Sequence, residues 1–161
     1  MDYPITLTGL GGSDNNGGIG TTLYYAPISE FLLIKACKTT TTAGDTVEID
    51  GSHTFTSPKG FSRLYNRLAE GQIKMGCVGG TDRRGQRVTL EVMYPGDNKV
   101  AKEAFRRMKN DTFIFIVETS NGKKLQIGSE AVPAYVKIES ETGTLKARKN
   151  GSKIEIETYA N

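Results

Sequence analysis

The 161-residue sequence predicts a mainly β fold, and three observations carry that expectation. Thr, Val and Ile are abundant, Trp is absent and Gly occurs 19 times, a composition suited to strands joined by many turns. Alternation of apolar and polar residues marks half-buried strands, most clearly where Val88, Leu90 and Val92 fall on one side and Thr89, Glu91 and Met93 on the other. Two Asn-Gly dipeptides, Asn121-Gly122 and Asn150-Gly151, mark tight hairpins, because both residue types tolerate the positive φ of a type I′ turn. A chain of this length makes a single β-rich domain, 1–161, able to bury roughly 70% of its unfolded surface without a disulfide or metal.

Taken in order, residues 1–22 hold six glycines among Asn, Asp and Ser and read as an N-terminal arm or loop. No Gly-Lys-Ser/Thr follows, so a phosphate-binding loop fails its context test. Residues 31–34 are apolar enough for the core, as a strand or a short helix, and the four threonines 39–42 suit a strand or an exposed loop. Gly44-Asp45 turns the chain, Val47 and Ile49 alternate with Glu48 and Asp50 as a half-buried strand, and a hairpin to 53–55 is expected. Over 58–70, Ser57 and Pro58 can start a helix carrying Leu64, Tyr65 and Leu68; a strand over 60–65 competes with it. Strands at 72–78 and 88–94 flank a polar surface loop, 79–86.

Residues 94–128 are the stretch where all local signals agree. Pro95-Gly96 turns, Asp97 or Asn98 caps, and a helix over about 98–110 places Val100, Ala101, Ala104, Phe105 and Met108 on one stripe. Residues 112–117 then form an unbroken β-branched and aromatic run, which argues a central strand covered on both faces. A two-residue turn at Asn121-Gly122 would set Ile116 opposite Ile127 and Glu118 opposite Leu125. The last strands are expected at 135–139 and 143–158, with Asn150-Gly151 pairing Ala147 with Ile154, Leu145 with Ile156, Lys146 with Glu155 and Arg148 with Lys153. Phe105, Phe113, Phe115, Ile116, Ile127, Leu145 and Ile156 are the expected core and scaffold.

Function classes narrow by elimination. No apolar run approaches membrane-spanning length and no charged-then-apolar leader is visible, which leads to an expectation of cytosolic synthesis without a membrane partner. Cys37 and Cys77, far apart and joined by only one His, suit small core gaps better than a metal site. The net charge of +3 is dispersed among acids, which does not predict a nucleic-acid binder. His53 reads as a structural or exposed imidazole, and Glu48, Asp50, Glu91, Glu155 and Glu157 as a solvated sheet face with no specific pairing. No nucleophile, acid-base pair or ligand set emerges, so no catalytic, metal or cofactor residue is expected. Two basic groups remain: Arg83, Arg84 and Arg87 as an assembly loop, and Lys99, Lys102, Arg106, Arg107 and Lys109 as an outward or intersubunit face of the helix.

The ordered set GGIGTTLYYAPISEF, HTFTSPKGFSRLY, MYPGDNKVAKEAF, NDTFIFIVETSNGK, the VPA at 132–134 and TGTLKARKNG resembles structural proteins of tailed bacteriophages, in particular major tail tube proteins of Bacteroidota phages and prophages. These signatures span nearly the whole chain. The resemblance implies a β-sandwich or barrel-like virion subunit with one flanking helix, without cofactor or chemistry of its own. Six copies would form a ring, and rings would stack into a tail tube that meets other phage tail proteins and passes double-stranded DNA during ejection without binding it specifically. It implies a virion location after synthesis in the host bacterial cytoplasm. A positive net charge departs from what a DNA conduit favours, since each phosphate held by Lys or Arg adds affinity. The expectation is therefore that the basic helix faces away from the lumen, which acids and neutral polar groups would line. The alternatives are a capsid decoration, connector or tail terminator protein, or a cellular β-sandwich module binding glycans or peptides.

Overall fold

The structure, a computed structural model, describes residues 17–40, 42, 44–81, 84–96, 98–141 and 151–160. Along them run β1 (Ile19–Pro27), β2 (Phe31–Leu33), β3 (Thr54–Phe55), β4 (Ser62–Tyr65), β5 (Gln72–Val78), β6 (Gly85–Pro95), helix α1 (Lys99–Met108), β7 (Thr112–Thr119), β8 (Lys124–Ile127), β9 (Ala134–Glu141) and β10 (Gly151–Ala160). The fold is mainly β with one α-helix among the described residues. Eight strands make one sheet in the order β4-β1-β7-β9-β10-β6-β5, with β8 added to β7, and β2 and β3 form a small separate sheet. Every pairing is antiparallel.

The sheet branches at β7. That strand meets β9 only through Thr112↔Tyr135 and Phe113↔Ala134, and from Phe115 onward it pairs with β8 instead. Two halves result, β4-β1-β7-β8 and β9-β10-β6-β5, and both feed one core. Leu23, Leu64, Phe113, Phe115, Val117 and Ile127 come from the first half; Leu90, Val92, Val136, Ile154 and Ile156 come from the second. On the other face of β7, Ile114 is fully buried opposite Ala26 of β1, so the strand is covered on both sides as its unbroken apolar run predicts.

The helix starts where expected. Asn98 Oδ1 accepts from the Ala101 N–H at 2.7 Å, and Ala101, Phe105 and Met108 are buried. Phe105 meets Tyr94 edge-on at 5.5 Å. Val100 departs from the expected stripe and is 77% exposed. It lies a full residue step around the helix from Ala101, outside a seam only as wide as 101, 105 and 108.

One buried asparagine joins the two halves. Asn66, fully enclosed just past β4, donates from Nδ2 to the Gly20 carbonyl at 3.2 Å and accepts at Oδ1 from the Met93 N–H at 3.2 Å. The next residue, Arg67, donates its N–H to the Met93 carbonyl at 2.8 Å. Gly71 has to be glycine here, because a Cβ would stand 2.3 Å from Asn66 Nδ2 and 2.5 Å from Ile19 Cγ1.

Several expectations are corrected. Residues 19–22, assigned to the arm, begin β1, and Ile19 is buried; residues 1–16 lie outside the described residues. The segment 58–70 contains no helix, since 62–65 is β4, paired with β1 through Leu23↔Leu64. Of the supposed helical stripe only Leu64 is buried, while Tyr65 and Leu68 are exposed, so strand pairing secures more than the stripe would. Leu32 and Leu33 in the 31–34 run are exposed, because β2 sits in the small outer sheet. Val47 lies in a 3-10 turn, 82% exposed, and Ile49 makes only an isolated bridge to Cys37; the partner of β3 is β2. Residues 39, 40 and 42 are exposed and outside any strand.

Both hairpin registers also change. Phe115 faces Ile127 and Val117 faces Leu125, one residue away from the expected register. The turn has three residues, with Gly122 alone at positive φ (76°) and its N–H donated to the Thr119 carbonyl. This register puts buried Phe115 and Val117 on the same face as their partners, and a one-residue slip would reverse that. Residues 142–150, including Leu145 and Ala147, lie outside the described residues. The expected pairing with β10 fails nonetheless, because Ile154 and Ile156 pair with Ile138 and Val136 of β9 on one edge and with Val92 and Leu90 of β6 on the other.

Candidate self-assembly surface

Alternation divides the β9-β10-β6-β5 half into a core side and an outer side. The outer side presents Tyr135, Lys137, Glu139 and Glu141 from β9, Lys153, Glu155, Glu157 and Tyr159 from β10, Arg87, Thr89 and Glu91 from β6, and Gln72 and Lys74 from β5. Carboxylates expected to be unpaired are in fact held. Glu91 accepts from Gln72 Nε2 at 2.5 Å and from Lys74 Nζ at 3.4 Å, with Lys153 Nζ 3.9 Å away. Glu157 accepts from Arg87 at 2.7 Å and from the Tyr159 hydroxyl at 2.8 Å. Lys137 pairs with Glu139 at 3.4 Å. These bonds stitch β5, β6 and β10 together sideways, which sequence alone did not disclose: Gln72, Lys74 and Glu91 can be aligned from a hairpin, but β10 begins 56 residues after β6 ends.

The Gln72 hydrogen bond, aided by the Lys153 and Lys74 ammoniums, holds the Glu91 carboxyl below the usual range. The Arg87 hydrogen bond, then that of Tyr159, does the same for Glu157. A carboxylate with a depressed folded-state pKa stabilises the fold above its unfolded value, and that contribution is lost as pH falls through the folded one. We expect the urea midpoint of the wild type to fall on going from about pH 7 to about pH 3, and the fall to be shallower in Glu91→Gln, with about 1 kcal/mol or less at stake. Equal slopes for the two proteins would show that Glu91 contributes nothing.

The cations not used on this face sit elsewhere. Lys99, Lys102, Arg106, Arg107 and Lys109 are all exposed, and Arg107 pairs with Glu103 at 2.5 Å within the helix. Tyr94, which carries Phe105, shares a face with Val88, Leu90 and Val92, so α1 lies on the core side of the half-sheet and its charges point away from the polar face. Two of the three loop arginines are described, and they differ in placement. Arg87 belongs to β6 and is tied to Glu157, Arg84 is exposed, and Arg83 lies outside the described residues.

Unpaired strand edges complete the surface. Among the described residues β5 pairs only with β6, β4 only with β1, and β8 only with β7. Met75 and Cys77 are exposed although they lie on the core side of β5, so this end of the β5-β6 ribbon extends past the core. Beneath it is a groove of about 450 Å³ lined by Ile19, Ile73, Met75, Thr119 and Leu125. A second cleft, about 260 Å³, lies between Tyr135 and Tyr159 on the outer face. Cys37 is exposed as well, so neither cysteine fills the core gap expected of it. Among the described residues no group of three or more His, Cys, Asp and Glu could hold a metal, and no helix is long and apolar enough to cross a membrane.

His53 is structural. It is half-buried, accepts at Nδ1 from the Lys35 N–H at 3.0 Å, and lies 2.7 Å from Gln126 Oε1 through Nε2. In comparisons with known proteins, the chain matches no family model and no curated protein.

Proposed function

We propose that this chain is a virion structural protein, the tail tube subunit of a tailed bacteriophage, which assembles into stacked six-membered rings around a channel for DNA. The observation that carries the reading is the segregation of charge: the outer face of β9-β10-β6-β5 holds its cations in ion pairs with acids, while the basic helix points away from it. Acids Glu91, Glu139, Glu141, Glu155 and Glu157 there outnumber Lys74, Arg87, Lys137 and Lys153, although the whole chain carries +3. A face of that kind can line a DNA channel without gripping phosphate. The edges of β4, β5 and β8 that are unpaired among the described residues support self-association, because a ring of subunits can pair their N–H and C=O groups.

Negative-stain microscopy of the purified protein across concentration tests this. Tubes or stacked rings of uniform width are expected. A single ring or trimer that never elongates would favour a connector, terminator or decoration protein. The tyrosine cleft favours a second reading, a β-sandwich module binding a glycan or peptide, and persistent monomers that bind such a ligand would replace the tube.

A further inference from the structure

Residues 28–61 leave the main sheet after β1 and return at β4. Within them the chain doubles back as a short ribbon: the Asp50 N–H donates to the Ala36 carbonyl at 3.0 Å, the Lys38 N–H donates to the Glu48 carbonyl at 2.9 Å, and Cys37 bridges Ile49. The 3-10 turn Asp45–Val47 lies at its tip, where Val47 is 82% exposed. Residues 44–51 carry Asp45, Glu48 and Asp50 and no Lys or Arg. Helix α1 has the opposite character. Val100 is 77% exposed, and these two valines are the most exposed large apolar side chains among the described residues. Residues 98–110 carry Lys99, Lys102, Arg106, Arg107 and Lys109 against Glu103 alone. Helical spacing sets Arg107 in line with Val100, with Lys99 and Arg106 beside them on the outer side of the helix.

We propose that the ribbon tip of one copy seats on the outer face of α1 of a second copy, Val47 against Val100 and the acids of the tip against Lys99, Arg106 and Arg107. Each partner supplies what the other lacks, an apolar side chain ringed by charge of the opposite sign. Bonds within each segment hold several of these charges in place without joining tip to helix: Lys38 bridges Glu48, Thr40 bonds Asp45, and Arg107 pairs with Glu103. The two patches differ, so the contact is head-to-tail, and each copy uses its tip on one neighbour and its helix on another. Such a contact propagates into a ring or a filament, whereas a two-fold dimer would use one patch twice. The inference rests on the self-association proposed for the chain and names the surfaces that make it.

Sedimentation velocity of the full chain across concentration tests the contact with two charge-reversed proteins. The first carries Glu48→Lys and Asp50→Lys; the second carries Lys99→Glu, Arg106→Glu and Arg107→Glu. All five side chains are exposed, so both proteins should keep the wild-type circular dichroism. Each alone sets like charge against like, and its concentration for half-assembly should rise by at least about tenfold. Mixed in equal amounts they should assemble again, because the basic tip of the first meets the acidic helix of the second and the acidic tip of the second meets the basic helix of the first. Either variant assembling like the wild type, or a mixture no better than its parts, overturns the contact and leaves wild-type tubes standing. Head-to-tail chains that never become tubes would retire the tail tube and keep the contact, and a wild type monomeric at every concentration overturns both. Should a reversed protein not fold, Val47→Ser and Val100→Ser decide: weakened assembly in both supports the contact, and unchanged assembly overturns it.

Discussion

Phe105→Asp is expected to abolish the cooperative unfolding transition, while Arg106→Asp, one position along, leaves it in place. Phe105 is 8% exposed and Arg106 is exposed, so the two variants place the same charge at a buried and at an exposed position of one helix. Removing a buried phenylalanine ring costs about 3 to 5 kcal/mol. The new carboxylate would also be taken out of water with no partner among Ala101, Met108 and Tyr94, and together these losses approach the whole stability of an ordinary domain, about 5 to 15 kcal/mol. The exposed change should stay within about 0.5 kcal/mol. Circular dichroism during urea titration reads both; a cooperative Phe105→Asp would mean that the helix is not part of the core.

Asn66→Ala is expected to lower stability by about 2 to 6 kcal/mol, and Asn66→Asp by more. Alanine strands the Met93 N–H and the Gly20 carbonyl, each at about 1 to 3 kcal/mol when buried. Aspartate restores the acceptor for Met93 but loses the donor to Gly20 and adds a charge in a fully enclosed site. The order wild type, alanine, aspartate in urea midpoint follows from those losses. If aspartate matched the wild type, the side chain would have to be solvated and the join between the halves would lie elsewhere.

Local patterning disclosed the parts whose neighbours are near in sequence. The capped helix, the two-sided strand β7 and the β5-β6 ribbon follow from periodicity and from turn residues beside them. The parts settled by distant partners did not show. Alternation at Ile154 and Ile156 reveals a buried face but not which strands lie on either edge, and a turn signal at Asn150-Gly151 suggested a local partner where β6 and β9 take both edges. The register after Asn121-Gly122 turned on which pairs become buried, a comparison between two turns that differ by one residue. Leu32, Leu33 and Val47 look like core in a list of residues and are exposed in the fold, since hydrophobicity marks a candidate for burial and not the surface that would cover it. The polar outer face was legible as alternation, but its lateral bonds across three strands were not.

The position of β10 also governs how the protein can be made. The strand fills the slot between β6 and β9 along nearly its full length, yet it comes 56 residues after the end of β6. During translation the β5-β6 ribbon can form early, but half of the sheet has to wait until residues 151–160 leave the ribosome, which sets a long closure before the reward of pairing. Until then both β6 and β9 expose an edge that another nascent chain could occupy. The polar face therefore cannot exist as a continuous wall before its last strand is in place, an order that would suit the polymerisation proposed above.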